Sequence, residues 1–285
     1  MDKVGLRTLI DVGVELVAAR IEALRPDKLD GANTDDDIVT TLDRFTQLGS
    51  LLLQHEVLDV WEMLMTGFER ILSAGLPEHD DLHGVTKGEA AYQLVVGQRL
   101  FALGGLVRLQ RRHAFLRSIC LIHPNKEYPN YFWSRYLVTM VSRGELEGFH
   151  KSAIPQSAEY VRERPELFAL YKRDIDTVVN AICQFDFLQC VVGTAISKDI
   201  DLCYPNFGTY FNGRTTPAIS DLLRDAQLRQ IAGVTADTLL AEILRALDEY
   251  AAHAFFGING WHRGYWQDTA ILELLKTNPA GRRAT

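Results

Sequence analysis

Apolar residues recur at intervals of three and four along most of this chain, the spacing that lines one face of an α-helix. Leu6, Ile10, Val14, Val17, Ile21 and Leu24 predict a first helix from about Val4 onward, stopped by Pro26, whose ring cannot continue it. Thr34 is the expected cap of a second helix, with Asp35, Asp36 and Asp37 in a first turn where negative charge meets the positive end of the helix dipole. Ile38, Leu42, Phe45 and Leu48 carry that helix forward. A further apolar segment, residues 51–72, contains Trp61, Met63, Leu64, Met65 and Phe68, and the break before it is expected within residues 49–55.

The stretch around which the rest should be organised is residues 86–122. Thr86 and Glu89 have capping-box spacing, and the residues from Ala90 to Val107 carry only one charge, Arg99. A helix apolar nearly all round has no side to leave in water, so other elements must surround it. Gly97, Gly104 and Gly105 fall inside it and point to positions where another helix comes close. A second piece is expected at about residues 114–122.

Beyond His123 and Pro124, a helix should open at Pro129, and a longer one at Pro165 with Leu167, Phe168, Leu170, Tyr171, Ile175, Val178, Ile182 and Phe185 on its inner side. It is expected to continue, or restart at Asp186, as far as Ile196. Residues 198–215 are irregular, Thr216 and Pro217 start a helix reaching Ile231, and Thr235 starts another. A short amphipathic helix with Ile271, Leu272, Leu274 and Leu275 follows the glycine-rich residues 257–264. No run alternates as a half-buried strand does, so the expected class is all-α, about ten helices in a multi-helix bundle or irregular helical array with no sheet. Residues 1–277 read as one all-helical domain with a point of subdivision near 124–128, and residues 278–285 as a flexible basic tail. Because the periodic pattern starts almost at Met1, the chain also reads as the C-terminal region of a longer protein.

Composition narrows the function classes. A net charge of -7 over 285 residues disfavours a general polyanion binder, which needs a clustered excess of Lys and Arg, so nucleic acid is not the expected partner. No uncharged segment reaches the roughly 18 to 20 apolar residues of a membrane span. Asp11 and Glu15 interrupt what would be the core of a signal peptide. The expected setting is soluble and cytoplasmic. Cys120, Cys183, Cys190 and Cys203 include no CxxC pair and read as buried free thiols of a reducing compartment.

Several short patterns touch on chemistry. His55, Glu56 and Asp59 form HExxD, one residue from the zincin pattern, with no third ligand in register. His79, Asp80 and His83 lie near one another in a loop bounded by Pro77 and Gly84; a metal-dependent hydrolase of the HD kind would hold such a dipeptide on a helix with further ligands. Glu147 and His150 have the spacing of di-iron bundles, without a second pair and with Gly148 between them. Neither a phosphate-binding glycine loop nor GxSxG is present. No cofactor and no metal is therefore expected. Arg108, Arg111 and Arg112, with Arg117 beyond, cluster after the central helix as an anion-binding candidate, or as cations placed where the helix dipole favours them.

Large rings concentrate near the C-terminus. Phe255, Phe256, Trp261, His262, Tyr265 and Trp266 surround Gly257, Gly260 and Gly264, and Trp and Tyr are frequent interface anchors. Trp261 and Tyr265 are the interaction candidates there. Tyr204 and Asn206 join them from a Tyr-Pro-Asn-Phe segment that echoes Tyr128-Pro129-Asn130-Tyr131. The expected function is a non-catalytic helical protein-interaction module, whose partner is another protein or a second copy of itself. The alternatives are an all-α metal-dependent hydrolase and a helical nucleic-acid or nucleotide sensor.

Overall fold

The computed structural model describes residues 3–24, 35–74, 87–124, 133, 153–168, 171, 174–197 and 216–233. Among these residues the chain is all-helical, with no strand. In order the helices are α1 (Lys3–Leu24), α2 (Asp36–Gln54), α3 (Leu58–Ala74), α4 (Lys87–Leu109), a 3-10 turn η1 (His113–Phe115), α5 (Leu116–Cys120), α6 (Ala153–Glu163), α7 (Ile175–Ser197), α8 (Thr216–Arg224) and α9 (Ala226–Ala232).

The nearly uncharged central stretch becomes α4, and the others are arranged about it. It packs most extensively on α7, then on α6 and α2, with smaller contacts to α3, α5 and η1. Leu100, Phe101, Ala102, Leu103 and Leu106 are fully enclosed, because each side of this helix faces another. Two of its glycines admit α7. A methyl at Gly104 would overlap the Phe185 ring, and one at Gly105 would overlap Tyr171 and Ile182. Tyr171 donates its hydroxyl to the Ala102 carbonyl at 2.8 Å, satisfying the polar tip of a ring otherwise buried in apolar surroundings.

α1 lies on α3 and, less extensively, on α2. Of its predicted stripe, Leu6, Ile10, Val14, Val17 and Ile21 are buried and Leu24 is half-buried. The close approach is mutual: Phe45 of α2 covers Gly13, and Val14 covers Gly67 of α3. α3 in turn holds Trp61, whose indole N–H donates to the Phe115 carbonyl and the Ser118 hydroxyl, tying the first three helices to η1 and α5.

Four boundaries differ from the sequence expectation, each for a local reason. Asp35, not Thr34, caps α2: its backbone is extended and its carboxylate accepts from the N–H groups of Asp37 and Ile38. No helix is expected at residues 153–163, yet α6 lies there, and Pro165, Glu166 and Leu167 then form a turn instead of opening a helix. Leu167, Phe168 and Tyr171 still reach the core from this non-helical segment, which is why their spacing imitates a helix. α7 begins only after Asp174, whose carboxylate accepts from the Thr177 N–H. The helix expected from Thr216 to Ile231 breaks at Asp225, which caps α9 by accepting from Gln227 and Leu228. Expectations for the helices from Pro129, from Thr235 and around Ile271 fall outside the described residues, apart from Trp133, which is buried against Phe101.

Candidate interaction surface

α1 carries a second apolar stripe, and this one faces water. At about 100° per residue, Gly5, Leu9, Val12, Leu16, Ala19 and Ala23 share a face roughly opposite the buried stripe. All six are exposed; Leu9, Val12 and Leu16 expose 65%, 52% and 67% of their surface. The neighbouring helices show what an ordinary outer face looks like. α2 turns Asp37, Thr40, Arg44 and Gln47 outward, and α3 turns Glu62, Thr66 and Arg70. Three large aliphatic side chains in line along one helix are thus a feature of α1 alone among these three, although Leu51 at the end of α2 is also exposed.

Polar side chains flank the stripe. Glu15 pairs with Arg70 of α3 on one edge, and Arg20 pairs with Asp35 on the other, at 2.8 Å. Lys3 and Arg7 reach Asp59 at 3.1 and 3.5 Å, and the hydrogen bond from Lys3 is the main reason that the Asp59 carboxyl titrates below its ordinary range. These contacts seat the inner side of α1 on its neighbours and, among the described residues, leave its outer side exposed.

A polar network at the far end of α4 brings together the arginines singled out in the sequence. Arg108 is buried; it donates to Gln184 of α7 at 2.8 Å and pairs with Asp221 of α8 at 2.6 Å. Arg111 stays exposed, 3.9 Å from the same carboxylate, and Arg112 pairs with Glu56 at 2.6 Å. Glu56 and Arg111 both have left-handed backbone, so two helix ends turn sharply at this point. Cations and carboxylates alternate here, and the pairs pin α8 and the α2–α3 turn to the end of α4. Beside them, the buried His113 sets Nδ1 3.3 Å from Asp225, leaving Nε2 without a hydrogen-bond partner. Burial pushes the imidazole below its ordinary value, outweighing the opposite pull of Asp225.

A second network lies between α2, α4 and α6. Arg99 is almost wholly buried, donates to the Val95 carbonyl and pairs with Asp43 of α2. Tyr160 of α6 donates to the same Asp43 oxygen at 2.8 Å and lays its ring under the guanidinium, 4.7 Å from ring centre to carbon. Arg164 approaches the other oxygen at 3.5 Å. Burial is the first cause of the raised Tyr160 pKa, so this hydroxyl stays a proton donor.

Among the described residues no three His, Cys, Asp or Glu side chains converge as a metal site would need. Of the HExxD residues, His55 ends α2, Glu56 is taken by Arg112 and Asp59 by Lys3 and Arg7. His79, Asp80, His83, Glu147 and His150 lie outside the described residues, as do Tyr204, Asn206, Trp261 and Tyr265. Cys120 and Cys183 are buried thiols outside any disulfide, with the Cys120 thiol pushed up by burial. Sequence reasoning did not single out Leu9, Val12 and Leu16. Their signal was present in the intervals 4, 3, 4, 3, 4 from Gly5 to Ala23, overlaid on the inner stripe of the same helix. No helix among the described residues is long and apolar enough to cross a membrane. No protein-family model matches the chain, and no curated protein or solved structure matches it either.

Proposed function

We propose that this chain is a non-catalytic helical module that works by protein contact, with the outer face of α1 as its docking surface. The observation that supports the reading is the solvent-facing line of Leu9, Val12 and Leu16 on a helix whose opposite face is already buried. Scattered exposed aliphatic residues need no explanation, but an aligned and contiguous set marks an interaction surface. Covering these three side chains would recover about 1 to 2 kcal/mol each by area alone, enough to contribute to association while costing the isolated fold little.

The test compares the two faces of one helix. The double substitution Leu9→Glu with Leu16→Glu should leave helix content and urea midpoint nearly unchanged and should abolish association, whether with a copurifying protein or between copies. Val14→Glu, on the inner face against α3, should unfold this end of the protein instead. If the outer-face variant retains every contact of the unaltered chain, this reading is wrong.

A further inference from the structure

We infer that the occupant of the α1 face is a second copy of the same helix, laid parallel and in register. This rests on the reading of α1 as a docking surface and adds the partner and its orientation. The intervals 4, 3, 4, 3, 4 from Gly5 to Ala23 are those of a heptad seam. They put Leu9, Leu16 and Ala23 at a positions and Gly5, Val12 and Ala19 at d positions. The largest side chains fall in the middle of the seam. Glycine and alanine occupy its ends, so two backbones can approach there.

Charge selects the orientation. In a parallel pair, each g residue faces the e residue of the partner helix five positions on, whereas in an antiparallel pair g faces g and e faces e. Glu15 is a g residue and Arg20 is the e residue five positions later. A parallel pair therefore sets Glu15 of each copy against Arg20 of the other, twice by symmetry. Both side chains are more than half exposed, 64% and 52%, and can take this second partner beside Arg70 and Asp35. An antiparallel pair would instead set the acidic g flank, Glu15 and Glu22, against its own like. It would also bring e against e, and the e flank is where α2 sits: Phe45 covers Gly13, and Asp35 holds Arg20. Leu at a with a β-branched residue at d favours three or four strands in free helices. Here α2 lies beside one flank of each α1 and α3 beside the other, which leaves a single open seam and so a pair.

Two sets of variants of the full chain test the pair. By sedimentation, the unaltered chain should show a reversible species of twice 32.1 kDa. Glu15→Lys alone and Arg20→Glu alone should each weaken it about tenfold, from two like-charge contacts per pair. An equimolar mixture of the two variants should restore it, because opposite charges then meet at both contacts. Leu9→Cys and Leu16→Cys should each form a disulfide between copies under mild oxidation, which the unaltered chain should not. A chain that stays monomeric at all concentrations, a larger species, or cross-linking only between Val12→Cys and Leu16→Cys chains, the a-to-d contact of an antiparallel pair, would overturn the parallel pair. In any of those cases, loss of another protein's binding in the Leu9→Glu, Leu16→Glu variant would still support α1 as a docking surface, whereas retention would sink both readings.

Discussion

Replacing Asp43 by Asn tests whether the network between α2, α4 and α6 holds those helices together. The change keeps the shape of the side chain and removes its charge. Arg99 then has a guanidinium that is almost wholly buried, with the Val95 carbonyl as its remaining strong acceptor and the Tyr160 ring beneath it. Breaking one partner of a buried ion pair costs about 3 to 5 kcal/mol, since the stranded charge has lost its water as well. The amide oxygen can still accept from Tyr160 or Arg99, and Asp43 itself is partly exposed, so the lower end of that range, about 3 kcal/mol, is expected. Urea unfolding followed by circular dichroism reads the loss, with Gln47→Ala on the exposed side of α2 as a control expected to move stability by less than about 0.5 kcal/mol. Adding Arg99→Met to Asp43→Asn should recover part of the loss, because the buried charge goes with it. A cost below about 1 kcal/mol for Asp43→Asn, or a double variant as unstable as the sum of the singles, would show that the pair is not what fastens α2 and α6 to α4.

Gly104→Ala should cost about 2 kcal/mol by driving a methyl into the Phe185 ring, while Gly5→Ala, with open space around it, should gain about 0.5 kcal/mol from helix propensity; thermal melts of both check the opposite signs. His113 gives a pH dependence. Its folded pKa lies below its ordinary value of 6.5, so the unfolded chain takes up the proton first and stability, complete above about pH 7, falls as pH drops through 6.5. Asp225 is held below its ordinary carboxylate value chiefly by the Leu228 N–H, so it remains charged in that window. His113→Gln should flatten the pH 5 to 7 part of a urea-midpoint profile, and an unchanged slope would assign it to another group.

The parts of the fold legible in the sequence were those where burial is nearly complete. α4 announced itself because Ala90 to Val107 offers water almost no polar side, and α1 because its inner stripe is regular. Three of the four misread boundaries share one cause. Asp35, Asp174 and Asp225 each end one course of the chain and start another through carboxylate-to-backbone hydrogen bonds, and an aspartate in sequence looks the same whether it caps or merely faces water. Leu167, Phe168 and Tyr171 misled in the other direction, because a turn can bury side chains at helical spacing. The partners of Arg108 and Arg112 come from α8 and the α2–α3 turn, over fifty residues away, and no local spacing reveals that. The outer face of α1 was hidden by a different effect: its seam and its core stripe occupy the same twenty residues, so one period masked the other.

Amide hydrogen exchange along α1 tests the proposed docking surface most directly. The unaltered chain, measured at a concentration where it associates, should protect the backbone of residues 3–24 more strongly than the Leu9→Glu, Leu16→Glu variant does, with α2 to α7 exchanging alike in both. Equal exchange across α1 in the two, with protection gained in some other segment on association, would contradict it.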